Sequence, residues 1–99
     1  RRLATRLMSP SLVDMVELTP GMSLAKIEAS PEMLGKTLSS LKFRQRYGLN
    51  VVAVIKPESE ERGAPETLLP DPEAVLDEGD VLLVDGPDEA IEKLASVER

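Results

Sequence analysis

The chain contains no cysteine, no histidine and no tryptophan, and only one phenylalanine and one tyrosine among its 99 residues. Without cysteine there is neither a disulfide nor a thiolate nucleophile, which fits a reducing compartment such as the cytoplasm. Without histidine the most frequent general base and metal ligand is missing, so zinc or iron would depend on carboxylates alone. These absences argue against an enzyme and against a transition-metal site.

The sequence also lacks a long apolar run and an excess of positive charge. No stretch approaches the roughly 20 apolar residues with which a helix crosses a bilayer, and the basic start at residues 1–6 is followed by no signal-type segment. The net charge is −6, whereas nucleic acid demands a basic face, and two aromatic residues make no stacking platform. The sequence therefore predicts a cytoplasmic protein that binds no nucleic acid.

What is present suffices for one small domain. Apolar residues make up 41% of the chain, and because the aromatic content is 2%, the core must consist of Leu, Val, Ile, Ala and Met. Such a core predicts modest stability that association would raise. The start at Arg1 favours a fragment of a longer protein, although processing or tag removal would produce the same end.

Residues 1–18 have helical spacing. Leu3 and Leu7 are followed by Ser9-Pro10, a capping serine with proline at a first helical position, and then by further apolar residues at intervals of three and four. The pattern predicts two short helices or one kinked helix. Because this segment has little apolar surface, we interpret it as a helical connector from a missing upstream domain, which places the domain itself at residues 19–99.

The domain shows alternating strand and helix patterns. Residues 23–29 alternate as a half-buried strand, and a helix carrying Leu34, Leu38 and Leu41 is expected to end at a left-handed Gly48. The remaining predicted elements are strands at 51–55, 67–69 and 81–84 and a last helix from Pro87. This order predicts an α/β (α+β) fold, a small mixed sheet with two helices on one face.

The strand at 51–55 is apolar on both of its faces, so both must be covered. In a chain this small, a second copy is the expected cover for one of them. We therefore predict a homodimer in which two turns converge around a two-fold axis and form a cleft. The predicted interface residues are Val51, Val52, Val54 and Ile55.

Gly35-Lys36-Thr37 invites comparison with a phosphate-binding P-loop. That motif requires glycine at position 30, where Ser30 stands, and the following Pro31 has no N–H to offer a phosphate. We reject the P-loop. Gly35 is interpreted as a turn residue and Thr37 as a helix N-cap, with Lys36 in solvent.

Acidic residues cluster between positions 71 and 80, at Asp71, Glu73, Asp77, Glu78 and Asp80. Their oxygens suit Ca²⁺ or Mg²⁺, but the spacing does not match an EF-hand loop. A solvated acidic rim is the favoured interpretation, and no metal site is predicted.

Arg44, Arg46 and Asn50 flank the turn before the apolar strand. Guanidinium groups beside backbone amides suit a phosphate or carboxylate ligand. Arginines at a helix end also commonly contact the helix dipole or form surface ion pairs. From the residues alone, both interpretations remain open.

Four stretches, spread over about residues 10–95, together resemble the C-terminal regulatory domain of the RCK (regulator of K⁺ conductance) or TrkA family. The stretches that carry the resemblance are residues 10–14 (PSLVD), 34–38 (LGKTL), 44–55 (RQRYGLNVVAVI) and 78–86 (EGDVLLVDG). The resemblance implies a TrkA-C-like fold that normally follows a Rossmann-type domain. It also implies a dimeric ligand sensor of a K⁺ channel or cation transporter at the inner face of the membrane.

Some members of the resembled family bind cyclic di-AMP between two copies of this domain. On that basis Arg44 is expected to meet a phosphate, Asn50 a base or backbone group, and Leu49 and Val51 to form apolar walls, with Arg46 as a further candidate. No glycine-rich Rossmann fingerprint occurs in the chain, so no NAD or ATP site is assigned to it. The alternative function is a purely structural dimerisation module without a small-molecule ligand.

Overall fold

The computed structural model describes residues 11–96 and shows a five-stranded sheet in the order β1-β2-β5-β3-β4. Its elements are β1 (Leu12–Thr19), β2 (Met22–Glu28), a 3₁₀ turn (Pro31–Met33), α1 (Leu38–Leu41), α2 (Phe43–Tyr47), β3 (Asn50–Lys56), β4 (Glu66–Leu68), β5 (Val81–Pro87) and α3 (Asp88–Ala95). The predicted α/β class is confirmed. Within the described residues all neighbouring strands are antiparallel, so the sheet is not mixed.

The helical prediction for residues 12–18 is wrong, because β1 forms an edge strand along β2. Residues 1–10 of the predicted connector lie outside the described part of the chain. The Ser11 hydroxyl is buried and donates to the Ala95 carbonyl at 2.7 Å, which ties the start of β1 to the end of α3. Residues 11–18 are therefore built into the domain.

A β-bulge explains why β1 looks helical in sequence. Leu12 pairs with Ile27 and Asp14 with Lys26, so Val13 is an extra residue in β1. The bulge turns Leu12 and Met15 toward the same face, where Met15 is 2% exposed. Two inward residues three positions apart imitate one face of a helix, although the backbone is extended.

The core lies between the sheet and the helices. Ala25 and Ile27 of β2 alternate with exposed residues as predicted, and Leu82 and Val84 pair with them from β5. Helix α3 covers β2 and β5 with a buried stripe that includes Ile91. Each fully buried aliphatic side chain stabilises the fold by about 1.5–3 kcal/mol. No helix in residues 11–96 is long and apolar enough to span a bilayer.

The predicted helix before the central strand is broken into pieces. Thr37 caps α1 by accepting a hydrogen bond from the Ser40 amide at 3.2 Å, which confirms its assignment as an N-cap. Lys42 then adopts a left-handed conformation with φ 50° and separates α1 from α2. Gly48, with φ 72°, ends α2 as predicted.

Residues 70–76, here called the strap, run alongside α1. The amides of Leu38 and Ser39 each donate at 3.0 Å to the carbonyls of Ala74 and Pro72 respectively. Leu76, at the end of the strap, is fully buried in the core. The strap is thereby fixed beside the first turn of α1 and forms one wall of the site described next.

Candidate functional site

The turn between α2 and β3 presents Arg44 and Asn50 on the surface. The Gly48 amide donates to the Arg44 carbonyl at 3.0 Å, and the Leu49 amide donates to the Phe43 carbonyl at 3.3 Å. These bonds, with the left-handed Gly48, close the end of α2. Leu49 is fully buried beneath the turn and anchors it to the core.

A groove with a volume of about 560 Å³ opens between the helices and the strap. We call it the basic groove; its walls are Leu38, Ser39, Lys42, Phe43, Arg44, Gln45, Asn50, Val51, Pro70 and Pro72. The volume lies within the range of small-molecule sites, roughly 300–1,000 Å³. Its walls combine apolar faces with amide and cationic groups, the mixture that binds and orients an anionic organic ligand.

The charge of the basic groove is positive although the whole chain is acidic. None of its ten lining residues carries a carboxylate. The sequence from 33 to 56 contains five basic residues and no acidic one, in a chain with 12 basic and 18 acidic residues. Within residues 11–96 the ion pairs are formed by Lys56 and Arg62, so Lys42 and Arg44 are not paired with carboxylates. Both cations remain available to a ligand.

A second groove of about 420 Å³ lies on the other side of the same turn. Arg44 and Asn50 line it as well, but here they face Asp85 and the backbone around Gly86. A carboxylate disfavours a second anion nearby. The basic groove is therefore the better place for a phosphate.

The predicted ligand residues divide between groove and core. Arg44, Asn50 and Val51 line the basic groove. Leu49 lines only the second groove, and its side chain is 0% exposed, so it is a core residue rather than an open apolar wall. Arg46 lines neither groove; its guanidinium lies 5.5 Å from the centre of the Tyr47 ring.

The predicted interface residues on β3 do not share one face. Val54 is 2% exposed and pairs with Leu82 in the core, so its assignment to a dimer interface is wrong. Val51 packs against the core cluster and lines the basic groove. Val52 and Ile55 are half-buried, and Ile55 pairs with Val81 on the sheet face opposite the helices.

Sequence reasoning missed several groove residues. Lys42 and Gln45 were not assigned to the site, and the strap prolines Pro70 and Pro72 were not connected with it. The local signal was a proline on either side of Asp71, which stiffens the chain. The strap lies beside α1 because of hydrogen bonds between residues more than 30 positions apart in the sequence, and no local pattern reveals such bonds.

No metal centre emerges from the described residues. Residues 11–96 contain no group of three or more His, Cys, Asp or Glu side chains arranged to hold an ion. Of the acidic series, Asp77 and Asp80 instead accept hydrogen bonds from the Lys56 ammonium at 3.3 and 2.6 Å.

The antiparallel sheet with its helical layer is the fold of a known family of small domains. Residues 22–97 match the model of the TrkA-C domain, and the chain belongs to this family. It is 33% identical over 86 residues to Ktr system potassium uptake protein C of Bacillus subtilis (strain 168), covering 87% of this chain and 36% of that protein. It is 32% identical over 69 residues to the K⁺/H⁺ antiporter subunit KhtT of the same organism, covering 70% and 39%. The chain thus spans little more than a third of these relatives.

Solved structures show the same fold. The RCK domain of GsuK aligns with a TM-score of 0.60 and 28% identity over 80% of this chain and 17% of its own. The RCK C domain of the potassium transport protein KtrA, solved in complex with cyclic diadenosine monophosphate, aligns with a TM-score of 0.63 over 94% of this chain and 96% of its own. Its identity is 22%, so this likeness concerns the fold alone.

Proposed function

We propose that this chain is a cytoplasmic regulatory domain that binds a small anionic effector, dimerises, and thereby controls a potassium or other cation transport protein. The basic groove carries the proposal, because Arg44 there is unpaired and is accompanied by Asn50 and by no carboxylate. The kinship with a potassium uptake protein and an antiporter subunit supports the transport role.

Cyclic di-AMP is the first effector to test, since the similar RCK C domain of KtrA was solved with that ligand. In the basic groove Arg44 binds a phosphate, Asn50 donates to or accepts from a base, and Val51 offers an apolar contact. Leu49 contributes by holding the turn from below. The groove is open to solvent on the helix side of the sheet.

The sheet face opposite the helices provides the dimer surface in this proposal. Val16, Leu24 and Leu83 line a shallow hollow there, with Asp14 and Lys26 at its edge, and Ile55 and Val81 continue the apolar surface. No helix of the described residues covers this face, whose apolar side chains are only partly buried. Covering it with a second copy removes apolar surface from water, which favours association.

In this proposal, regulation follows because effector binding is coupled to the arrangement of the two domains in the dimer. An effector that binds one arrangement of two domains more tightly shifts the population toward it, by no more than its difference in affinity. The partners in this proposal are a membrane cation transporter or channel subunit and an upstream Rossmann-type or membrane domain. The domain would therefore act at the inner face of the membrane.

Arg44→Ala is expected to weaken binding of cyclic di-AMP about tenfold to a hundredfold, because a hydrogen bond to a charged group contributes about 1.5–3 kcal/mol. Isothermal titration calorimetry of the whole chain measures this, with other nucleotides and divalent ions in parallel. Arg46→Ala is the matched control, since this arginine lies on the same helix but outside both grooves.

Equal losses in the Arg44 and Arg46 variants would indicate a general charge effect and contradict the assigned site. A wild-type chain that dimerises but binds nothing in the panel would favour the structural dimerisation module instead.

Leu83→Glu is expected to convert the dimer into a monomer in sedimentation velocity experiments. Within one copy the new carboxylate lies opposite Lys26 and partly exposed, so the fold should tolerate it. Between two copies it would be desolvated, which is costly. Leu69→Glu is the control, because Leu69 is 85% exposed in a loop. A dimer of unchanged stability in Leu83→Glu would place the interface elsewhere.

A further inference from the structure

Lys42 has the only positive φ of a non-glycine residue in the described range 11–96, at φ 50° and ψ 56°. In this region Cβ lies too close to the residue's own carbonyl oxygen, so residues other than glycine seldom occupy it. Glycine or asparagine would relieve the strain. A lysine at this position therefore points to a use for its side chain, since strained residues cluster at binding sites.

The geometry shows what the break accomplishes. In a continuous α-helix, residues 42 and 44 would lie about 200° apart around the axis, on nearly opposite faces. Here α1 ends and α2 begins at Lys42, and both Lys42 and Arg44 line the basic groove. The left-handed junction thus lets two cations of neighbouring sequence line one groove.

Neither cation forms an ion pair within the described residues. The lining of the basic groove contains no carboxylate, and the ion pairs of residues 11–96 involve Lys56 and Arg62 instead. Like charges that line one groove repel each other, and an anionic ligand offsets this repulsion. The groove therefore suits a ligand that carries more than the single negative charge that Arg44 alone would balance.

We propose that Lys42 is a second anion-binding residue of the basic groove, and that its left-handed backbone brings it to the same phosphate-bearing ligand as Arg44. This inference rests on the proposed function and adds to it the residue that sets selectivity for ligand charge. Lys42 and Arg44 together favour ligands with two or more negative charges over singly charged or neutral ones.

The test uses three variants of the whole chain. Lys42→Gln removes the charge but keeps the strained backbone and most of the length. Lys42→Gly removes the charge and relieves the backbone. Lys42→Arg keeps the charge. Calorimetry with cyclic di-AMP as the probe, at low and high salt, is run at a temperature where thermal melts show every variant folded.

We expect Lys42→Gln and Lys42→Gly to bind cyclic di-AMP about tenfold more weakly, in line with the loss of one charge-assisted hydrogen bond. Their affinity should depend less on salt than that of the wild type, because one cation fewer is screened. Lys42→Arg should bind like the wild type. Lys42→Gly should melt no lower than the wild type, which separates lost binding from lost stability.

Wild-type affinity and salt dependence in Lys42→Gln and Lys42→Gly, with binding still lost in Arg44→Ala, would overturn this inference and leave the proposed function standing. A wild-type chain that binds neither cyclic di-AMP nor any other anionic nucleotide would overturn both.

Discussion

Lys56→Met is expected to lower the free energy of unfolding by about 3–5 kcal/mol, the cost of leaving a buried charge without its partner. Lys56, at the end of β3, donates to Asp80 at 2.6 Å, and the Asp80 side chain is 1% exposed. Asp80 also accepts from the Asp77 amide at 2.8 Å, while its other oxygen has no partner in the described residues. Methionine keeps roughly the volume of the lysine and removes its charge together with its hydrogen bonds to Asp77 and Asp80.

Asp77→Asn is the matched control, because Asp77 contacts the same ammonium at 3.3 Å but is 72% exposed. Exposed ion pairs contribute about 0–1 kcal/mol. Chemical denaturation of the three proteins measures the difference. If Lys56→Met and Asp77→Asn were equally stable, the Lys56–Asp80 pair would not be the anchor that its burial indicates.

The same pair predicts how stability depends on pH. Burial lowers the pKa of the Lys56 ammonium, but its hydrogen bonds and charge interactions with Asp80 and Asp77 outweigh this and raise the pKa above its ordinary value. A raised pKa means that the stabilisation is complete below the unfolded value of about 10.4 and is lost as pH rises through the folded value. We therefore expect the advantage of the wild type over Lys56→Met to shrink in strongly alkaline solution, as the Lys56 ammonium loses its proton.

Gly86→Ala is expected to cost about 1–3 kcal/mol and to weaken effector binding, although Gly86 carries no chemistry of its own. A Cβ at this position would lie 2.6 Å from Leu49 Cδ2 and 3.1 Å from the Gly48 carbonyl oxygen. Leu49 is fully buried, and the second close contact is a backbone oxygen of the turn, so relieving the collision is expected to shift the turn between Arg44 and Asn50. Hydrogen-bond donors that are moved out of position form weaker hydrogen bonds to the effector.

A double-mutant cycle tests this explanation. Leu49→Ala removes the atoms that collide with the new methyl group, so Gly86→Ala should cost less in that background than in the wild type. Denaturation gives the stability coupling, and calorimetry with cyclic di-AMP gives the binding coupling. Strictly additive effects of the two substitutions would show that the cost of Gly86→Ala does not come from a collision with Leu49.

Much of the candidate site was predictable because its residues are neighbours in sequence. Arg44 and Asn50 flank one short turn, and Gly48 identified that turn through its left-handed backbone. Leu49 and Val54 were misassigned for a shared reason. An apolar residue in an apolar run looks the same whether it faces a partner or its own core, and only the bulge in β3 between Val51 and Ala53 sets the faces.

The amino-acid sequence by itself determined that this is a TrkA-C-type α/β domain, where its central strands and last helix lie, and which turn bears the arginine of the site. Those features depend on short-range periodicity and turn chemistry. The tertiary structure alone decided that residues 12–19 form an edge strand, that the strap walls the basic groove, and that Lys42 joins Arg44. Each of these depends on pairing between distant segments or on a strained backbone that the rest of the fold enforces, and local sequence fixes neither.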